Sequence, residues 1–343
     1  TPLSGLIRFR YHMKSMIAVL AMWQNATQIQ ARQNDCCIGK RSGILNRCVA
    51  MPGDGKQISL KDAKMTIINK DYGCISILMG VYNGANTIEK AIESILNQTY
   101  PNFEFIICDD ASTDATWEII CRFAQRDKRI LCLKNERNMG LGATLNRCFE
   151  CAKGRYIARQ DADDISDVNR LEKTVRYLEK TGAPYVGCGV RVFDDSGVWN
   201  YRQFPEVITK HIIAKKNPFF HPTMVFKREV FEQANGYRVA KETRRTEDYD
   251  LVMRLAALNL IGRNLQEILY SVYEPYDAYM RHTRLTRWYE ICVRIHGLQI
   301  MKSPLHDYIY LVKPVIMGCM PRHCIKIIKK LQWNNKQKET RNL

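Results

Sequence analysis

From Cys74 onward, two hydrophobic patterns alternate along the chain. CISILMGVY (Cys74–Tyr82) is an unbroken apolar run of strand length, as expected for a parallel strand covered on both faces. In NTIEKAIESILNQTY, Ile88, Ala91, Ile92, Ile95 and Leu96 fall on one helical face, with Asn86 or Thr87 as the expected cap and Pro101 as the stop. FEFIICDD then reads as a second strand, STDATWEIICRFAQR as a second helix capped by Ser112 or Thr113, and RILCLKN as a third strand. Residues 140–153 predict a third helix, RYIARQD a fourth strand, VNRLEKTVRYLEK a fourth helix, and YVGCGVRVFD a further strand.

The remainder is less regular. HPTMVFKREVF (His221–Phe231) predicts a strand leading into a helix. TEDYDLVMRLAALN (Thr246–Asn259) predicts an amphipathic helix with an acidic start and with Leu251, Leu255 and Leu258 turned inward. GRNLQEILYSVYE reads as a late strand, and the chain from Arg284 as helical and basic. Strands alternating with helices imply right-handed β-α-β units, hence an α/β domain on a mostly parallel sheet. In such sheets ligands bind beyond the carboxyl ends of the strands. The second strand ends in Asp109-Asp110 and the fourth in Asp161-Ala162-Asp163-Asp164, so both acidic clusters are expected on one edge.

Charge sharpens the division of the chain. The 52 Lys+Arg outnumber 35 Asp+Glu, but residues 1–64 hold 10 against 3, residues 65–280 hold 29 against 29, and residues 281–343 hold 13 against 3. The basic excess therefore sits at the two ends. A nucleic-acid binder carries its basic face on the folded domain, so no nucleic-acid partner is expected. A basic tail beside a neutral domain suits an anionic membrane surface better, with a simply solvated tail as the plain alternative. The apolar run Met16–Trp23 is far shorter than the roughly 20 residues a bilayer requires, and no segment reads as transmembrane. The 13 cysteines are scattered, and the lone C-x-x-C of Cys148 and Cys151 has no second pair to complete a zinc site. Reduced thiols and a cytoplasmic setting follow. Residues 1–64 lack sustained periodicity and are expected outside the folded enzyme, as upstream sequence or a disordered extension, with a fresh start at Met65.

Three groups of carboxylates can carry chemistry. Asp109-Asp110 either closes a turn or accepts hydrogen bonds from a nucleotide base or ribose, since a carboxylate is acceptor-only and can be bidentate. Within Asp161–Asp164, crowded carboxylates repel one another unless a cation offsets them. Asp163 is the expected ligand of Mg²⁺ or Mn²⁺, which prefer hard oxygen donors. Asp164, Ser166 or Asp167 would cap the helix that begins near Val168, with Asp167 serving helix-end electrostatics. Glu247-Asp248 opens a helix, so it either compensates the helix dipole or supplies a general base.

ISILMGVYNGANTIEKAIESILNQTYPNFEFIICDDASTDAT, NERNMGLGATLNRCFECAKGRYIARQDADDISDVNRLEKTV, HPTMVFKREVF and TEDYDLVMRL together resemble a family 2 glycosyltransferase. More narrowly, they resemble the bacterial enzymes of capsule, exopolysaccharide and O-antigen synthesis, over roughly Met65 to Glu274. The resemblance implies a GT-A type, Rossmann-like domain, placed over residues 65–280; residues 281–343 read from their own pattern as a helical basic segment. It implies a nucleotide-sugar donor, most often a UDP-sugar, and a glycan or lipid-linked acceptor at the inner face of the cell membrane. On this resemblance Asp110 reads the uracil with Asp109 beside it, the backbone of Gly80, Val81 and Tyr82 lines the same pocket, and Asp161 lies near the ribose. Asp163 binds the divalent Mg or Mn ion, and Asp248 is the catalytic base, supported by Glu247. His221 matches a segment near the acceptor, with no role assigned.

The family mechanism inverts the sugar in one displacement and needs no protein nucleophile. One stretch departs from the family: many relatives carry Tyr-Arg-x-His after the late strand, whereas this chain reads YSVYEPYDAYMRHTR, with Arg281-His282 as a displaced counterpart. In the tail, Tyr308–Trp333 joins apolar stretches to Lys326, Lys329 and Lys330, while Lys313 and Pro314 interrupt them. It reads as an interfacial anchor or a packed terminal helix, not a spanning one. Two other readings compete with this one. A non-catalytic nucleotide-sugar-binding scaffold is disfavoured by the presence of both Asp163 and Asp248. A nucleotidyltransferase is disfavoured because VYNGANT lacks a glycine-rich basic phosphate loop.

Overall fold

The computed structural model describes residues 71–275, 284–320 and 327. The expected extension over residues 1–64, the start at Met65, Arg281-His282 and the tail lysines Lys326, Lys329 and Lys330 all lie outside the described residues.

The first strands arise where the apolar runs placed them. β1 (Ile75–Val81) lies between β2 (Phe103–Asp109) and β4 (Tyr156–Arg159), with β3 (Ile130–Lys134) beyond β2. Past β4 come β8 (Val225–Lys227), β6 (Tyr185–Asp194), β9 (Arg263–Tyr273) and the two-residue β5 (Ile165–Ser166), while β7 (Gly197–Arg202) pairs with β6. β1, β2, β3, β4, β6 and β9 share one direction, and only β5, β7 and β8 run against it. The sheet is therefore mostly parallel.

Alternation along β1 sorts its side chains into two cores. Ile75, Ile77 and Met79 face α1 (Ile88–Leu96), α2 (Thr116–Arg126) and α4 (Arg170–Thr181) through Ile92, Ile95, Ile120, Leu171 and Val175. Leu78 joins Ile106 and Ile157 on the other face, against α3 (Leu141–Cys151), α6 (Arg228–Gln233) and α7 (Glu247–Ala257) through Leu145, Phe231, Leu251 and Leu255. Each such aliphatic side chain contributes roughly 1.5–3 kcal/mol by leaving water. Both faces of the parallel strands are covered, which is why they read as unbroken apolar runs. α8 (Arg284–Ile300) packs on α7 through Gly297, where an added Cβ would collide with the Met253 side chain. A 3₁₀ turn (Leu305–Leu311) leads into α9 (Val312–Cys319), whose Pro314 sits in the first turn, where a missing N–H costs nothing. Among the described residues no helix is long and apolar enough to cross a membrane, and nine cysteines are free thiols.

Several local expectations are corrected. Thr87 occupies the cap position of α1, but its hydroxyl donates to the Gly84 carbonyl instead of capping. α2 is preceded by Ala115, not by Ser112 or Thr113 acting as cap; Asp114 instead accepts the amides of Ala85 and Thr116. α4 starts after Asn169, and neither Asp164, Ser166 nor Asp167 caps it, because Asp167 pairs with Arg191 and Asp164 turns into the sheet edge. Leu258 is 50% exposed, since α7 ends at Ala257 and the chain turns outward there.

This difference is measurable. Leu255→Ala should cost about 2–5 kcal/mol of stability in urea unfolding, and Leu258→Ala within about 0.5 kcal/mol. Equal costs would contradict the placement of α7.

Candidate active site

The carboxyl ends of β1 and β2 lie side by side, with Val81 paired to Asp109 and the Asp110 amide donating to the Val81 carbonyl at 2.8 Å. Both chains then turn through left-handed residues, Asn83 at φ 54° and Ala111 at φ 62°. Asp109 is fully buried; its carboxylate accepts the Ser112 amide at 3.2 Å and faces Lys134 Nζ at 3.9 Å. It thus closes the turn. Asp110 accepts from Asn135 Nδ2 (2.7 Å), Met139 N (2.7 Å) and Gly140 N (2.8 Å), so one carboxylate ties β2 to the loop that starts α3. Two of these fall on Oδ1 and one on Oδ2, which leaves Oδ2 acceptor capacity. Val81 is buried and Tyr82 is exposed. Gly80 lets α3 approach, because a Cβ there would meet Thr144 Cγ2 at 3.0 Å.

The second acidic cluster follows β4. Asp161, Asp163 and Asp164 each offer a carboxylate oxygen within 4.8 Å of the others. Asp164 is buried and accepts the Tyr273 amide at 2.8 Å. Burial first, then the charges of Asp163 and Asp161, push its carboxyl well above the usual range. Sequence reading gave Asp164 to the next helix; the structure puts it with Asp161 and Asp163. Three hard oxygen donors crowded at a partly dry edge fit a divalent cation of the Mg²⁺ or Mn²⁺ class.

Under this cluster lies a network that sequence reading missed. Arg159 is 1% exposed, yet it sits at the end of a buried strand. Its Nη1 donates to the carbonyls of Leu78 (3.1 Å) and Gln160 (2.6 Å), and Nη2 pairs with Asp161. Its Nε donates to His221 Nε2 at 3.4 Å, and the Tyr237 hydroxyl lies 2.7 Å from the same nitrogen. Beside the Arg159 cation in a dry space, His221 is held as the neutral imidazole. Desolvation, followed by the Arg159 charge, holds its pKa well below the ordinary value. The Tyr270 hydroxyl oxygen accepts the Asp161 amide at 3.1 Å, and its ring faces the buried Arg170 guanidinium.

Glu247 and Asp248 open α7 on the same side. Asp248 Oδ2 accepts from Asn217 Nδ2 at 2.7 Å. Burial raises the Asp248 carboxyl, and the charge of Asp161 adds to that rise, which ties the two carboxylates electrostatically. Glu247, 8% exposed, is pushed up to about 7 by burial and then by Asp248. The third acid of the turn, Asp250, instead pairs with Arg238 (2.9 Å) and Arg254 (2.7 Å).

The family described as Glycosyl transferase family 2 matches residues 76–234. EpsE of Bacillus subtilis (strain 168), which carries the name of a glycosyltransferase, is 43% identical over 249 residues, 72% of this chain and 90% of EpsE. The chain belongs to the family 2 glycosyltransferases. WfgD of Escherichia coli, named a UDP-Glc:alpha-D-GlcNAc-diphosphoundecaprenol beta-1,3-glucosyltransferase, is 32% identical over 71% of this chain and 93% of its own length. Among solved structures, the mannosyltransferase PcManGT from Pyrobaculum calidifontis, in complex with GDP-Man and Mn²⁺, superposes with a TM-score of 0.54 at 17% identity. That likeness covers 78% of this chain and 83% of PcManGT, and it is one of GT-A fold. The family match includes Asp109, Asp110, Asp161 and Asp163 and stops before Glu247-Asp248.

In this glycosyltransferase, then, the structure gathers Asp161, Asp163, Asp164 and Asp248 around the Arg159–His221–Tyr237 network, and Asp110 and Gly80 at the β1–β2 end. The missed residues Arg159, Asn217, Tyr237 and Tyr270 carry no local signal. Their contacts within the site cross 16 or more residues of chain, except for the bonds of Arg159 to Gln160 and Asp161.

The raised Glu247 pKa makes stability depend on pH. The folded state binds this proton more tightly than the unfolded chain, so the stabilisation is full below about 4.5 and is lost as pH rises through about 7. Glu247→Gln should therefore gain on the wild type between pH 5 and pH 8, by about 3 kcal/mol at most. Thermal melts of the two proteins in EDTA at both pH values check it; a pH-independent difference would contradict the burial of this acid.

Proposed function

We propose that this glycosyltransferase moves a sugar from a UDP-sugar to a hydroxyl of a glycan or lipid-linked acceptor, with inversion, in cell-surface polysaccharide synthesis at the cytoplasmic face of the membrane. The observation that carries this reading is the convergence of the Asp161, Asp163 and Asp164 oxygens within 4.8 Å of one another, with the Asp161 charge felt at Asp248, whose Oδ2 accepts from Asn217. UDP and the lipid-diphosphate acceptor are supported by the name of WfgD.

In this reading Asp110, through its remaining Oδ2 capacity, and the backbone of Gly80, Val81 and Tyr82 receive the nucleoside. Asp109 keeps the turn closed beside them. Asp161 lies toward the ribose. Asp163, with Asp161 and Asp164 at hand, would hold Mg²⁺ or Mn²⁺, which when bound offsets the charge growing on the departing diphosphate. Asn217 donates to Asp248 Oδ2 and holds the carboxylate that is to take the acceptor proton. The raised pKa of Asp248 makes it a stronger base than an exposed aspartate. As Asp248 takes that proton, the acceptor oxygen forms its bond to the anomeric carbon. The bond from that carbon to the diphosphate oxygen breaks, and its electron pair leaves with the nucleoside diphosphate. Attack opposite the leaving group inverts the centre, and Glu247 supports Asp248 from the preceding position.

The C-terminal part supports a membrane-surface role. Ile309, Val312 and Ile316 are exposed along the 3₁₀ turn and α9, with Lys313 exposed among them. Apolar side chains beside lysine suit the interface of an anionic bilayer.

A panel of nucleotide sugars with Mn²⁺ or Mg²⁺, read by thermal shift and released nucleotide, tests the donor; no response to any UDP-sugar would overturn it. Asp248→Asn should lower transfer by about 10²–10⁴-fold while donor binding persists, and Asp163→Ala should remove the metal-dependent part of donor binding. Full transfer by Asp248→Asn would overturn the base assignment. For the membrane, vesicles with anionic phospholipid should sediment the wild type, and combined Ile309→Ser, Val312→Ser and Ile316→Ser should abolish this. Equal sedimentation would refute the anchor.

A further inference from the structure

A second constellation lies apart from the carboxylate edge. His211 sits on α5 (Lys210–Lys215), while His306 and Asp307 sit on the 3₁₀ turn Leu305–Leu311. His211 Nδ1 is 2.6 Å from Asp307 Oδ1, and His306 Nε2 is 3.5 Å from the same oxygen. The Tyr310 hydroxyl is 3.1 Å from His211 Nε2. One ligand atom from each of the three residues lies within 4.8 Å of the others. The Asp307 side chain is 2% exposed, whereas those of His211 and His306 are 53% and 69% exposed.

One imidazole would satisfy a buried carboxylate oxygen. A second at 3.5 Å is too far for a strong hydrogen bond, but it fits a metal site. Bonds of about 2.0–2.1 Å in tetrahedral array separate ligand atoms by roughly 3.3 Å. The His306–Asp307 spacing is already near that edge, and the His211–Asp307 spacing would open modestly on an exposed imidazole. The donor set is two nitrogens and one oxygen, which suits borderline cations such as Zn²⁺ and not Mg²⁺. It differs from the all-oxygen cluster of Asp161, Asp163 and Asp164. The open side of both histidines leaves room for a water as fourth ligand.

The geometry points to a Zn²⁺-class site at His211, His306 and Asp307 that staples the Leu305–Leu311 turn to α5. The staple reaches an element tied to the base. Tyr249, adjacent to Asp248, donates its hydroxyl to the Ile213 carbonyl of α5 at 2.5 Å, and Arg294 of α8 donates to the Lys215 carbonyl at 3.1 Å. The ion joins the C-terminal segment to the part of the fold that carries Asp248, and it takes no part in the transfer step.

The test uses the tag-free full chain, stripped with EDTA and titrated with Zn²⁺ by calorimetry and with Co²⁺ by visible absorption. One ion per chain should bind, Zn²⁺ should raise the melting temperature, and both effects should persist in Asp163→Asn. His306→Ala, a change at an exposed side chain, and His211→Ala should each weaken Zn²⁺ binding by at least about tenfold, with His306→Ala keeping Mn²⁺-supported transfer. Wild-type affinity in both histidine variants would overturn the site, as would binding abolished by Asp163→Asn. A Co²⁺ spectrum dominated by thiolate charge transfer would assign the ion to cysteines and also overturn it.

Discussion

A guanidinium removed from water organises this edge of the sheet. Arg159 is buried where β4 ends, and the desolvation of such a charge costs several kcal/mol unless its donors are used. They are used on four partners: the Leu78 carbonyl of β1, the Gln160 carbonyl, the Asp161 carboxylate and His221. Those partners belong to β1, to the acidic cluster and to the turn before β8. One side chain thus sets the spacing of three regions that are distant in sequence. His221 can share the site because it is neutral; a protonated imidazole would leave two cations in one dry space.

The carboxylates show the complementary strategy. Asp109, Asp110 and Asp250 each have their oxygens engaged by backbone amides, asparagine or arginine. Asp164, Glu247 and Asp248 are raised first by burial and then by neighbouring carboxylates: Asp163 and Asp161 act on Asp164, Asp248 on Glu247, and Asp161 on Asp248. The first group spends most of its acceptor capacity on holding loops in place, with some left on Asp110 Oδ2. The second stores proton affinity at one edge, which is the property that a general base and a cation site require.

What was legible in the sequence follows from periodicity. The strands around Ile77, Ile106 and Ile157 are covered on both faces, and the covering shows as unbroken apolar runs. The end of YVGCGVRVFD and the strand-to-helix step in HPTMVFKREVF were likewise local properties. Helix caps were not legible, because a polar side chain near a helix start has other partners. Asp167 prefers Arg191, and Asp114 serves a loop from β1. Leu258 carried the right spacing but lay one residue past the helix. Arg159 reads as a solvent-facing charge, since its burial depends on carbonyls and an imidazole supplied from elsewhere in the fold. The aspartate clusters were legible because strand ends are, while Asn217 and Tyr237 become visible only once β8 and α7 are in place.

The reversed strand β8 has an architectural consequence. It separates β4 from β6, yet β6 and β9 resume the direction of β1 to β4. The carboxyl ends on both sides of β8 therefore open onto one rim. A loop that follows β6 or β9 can be lengthened, shortened or rewritten without disturbing the hydrogen bonds that fix Asp110 or Arg159. Such an arrangement lets the loops beyond β6 and β9 vary while the edge formed by β1, β2 and β4 stays constant, as a lathe keeps its chuck while the cutting tools are exchanged.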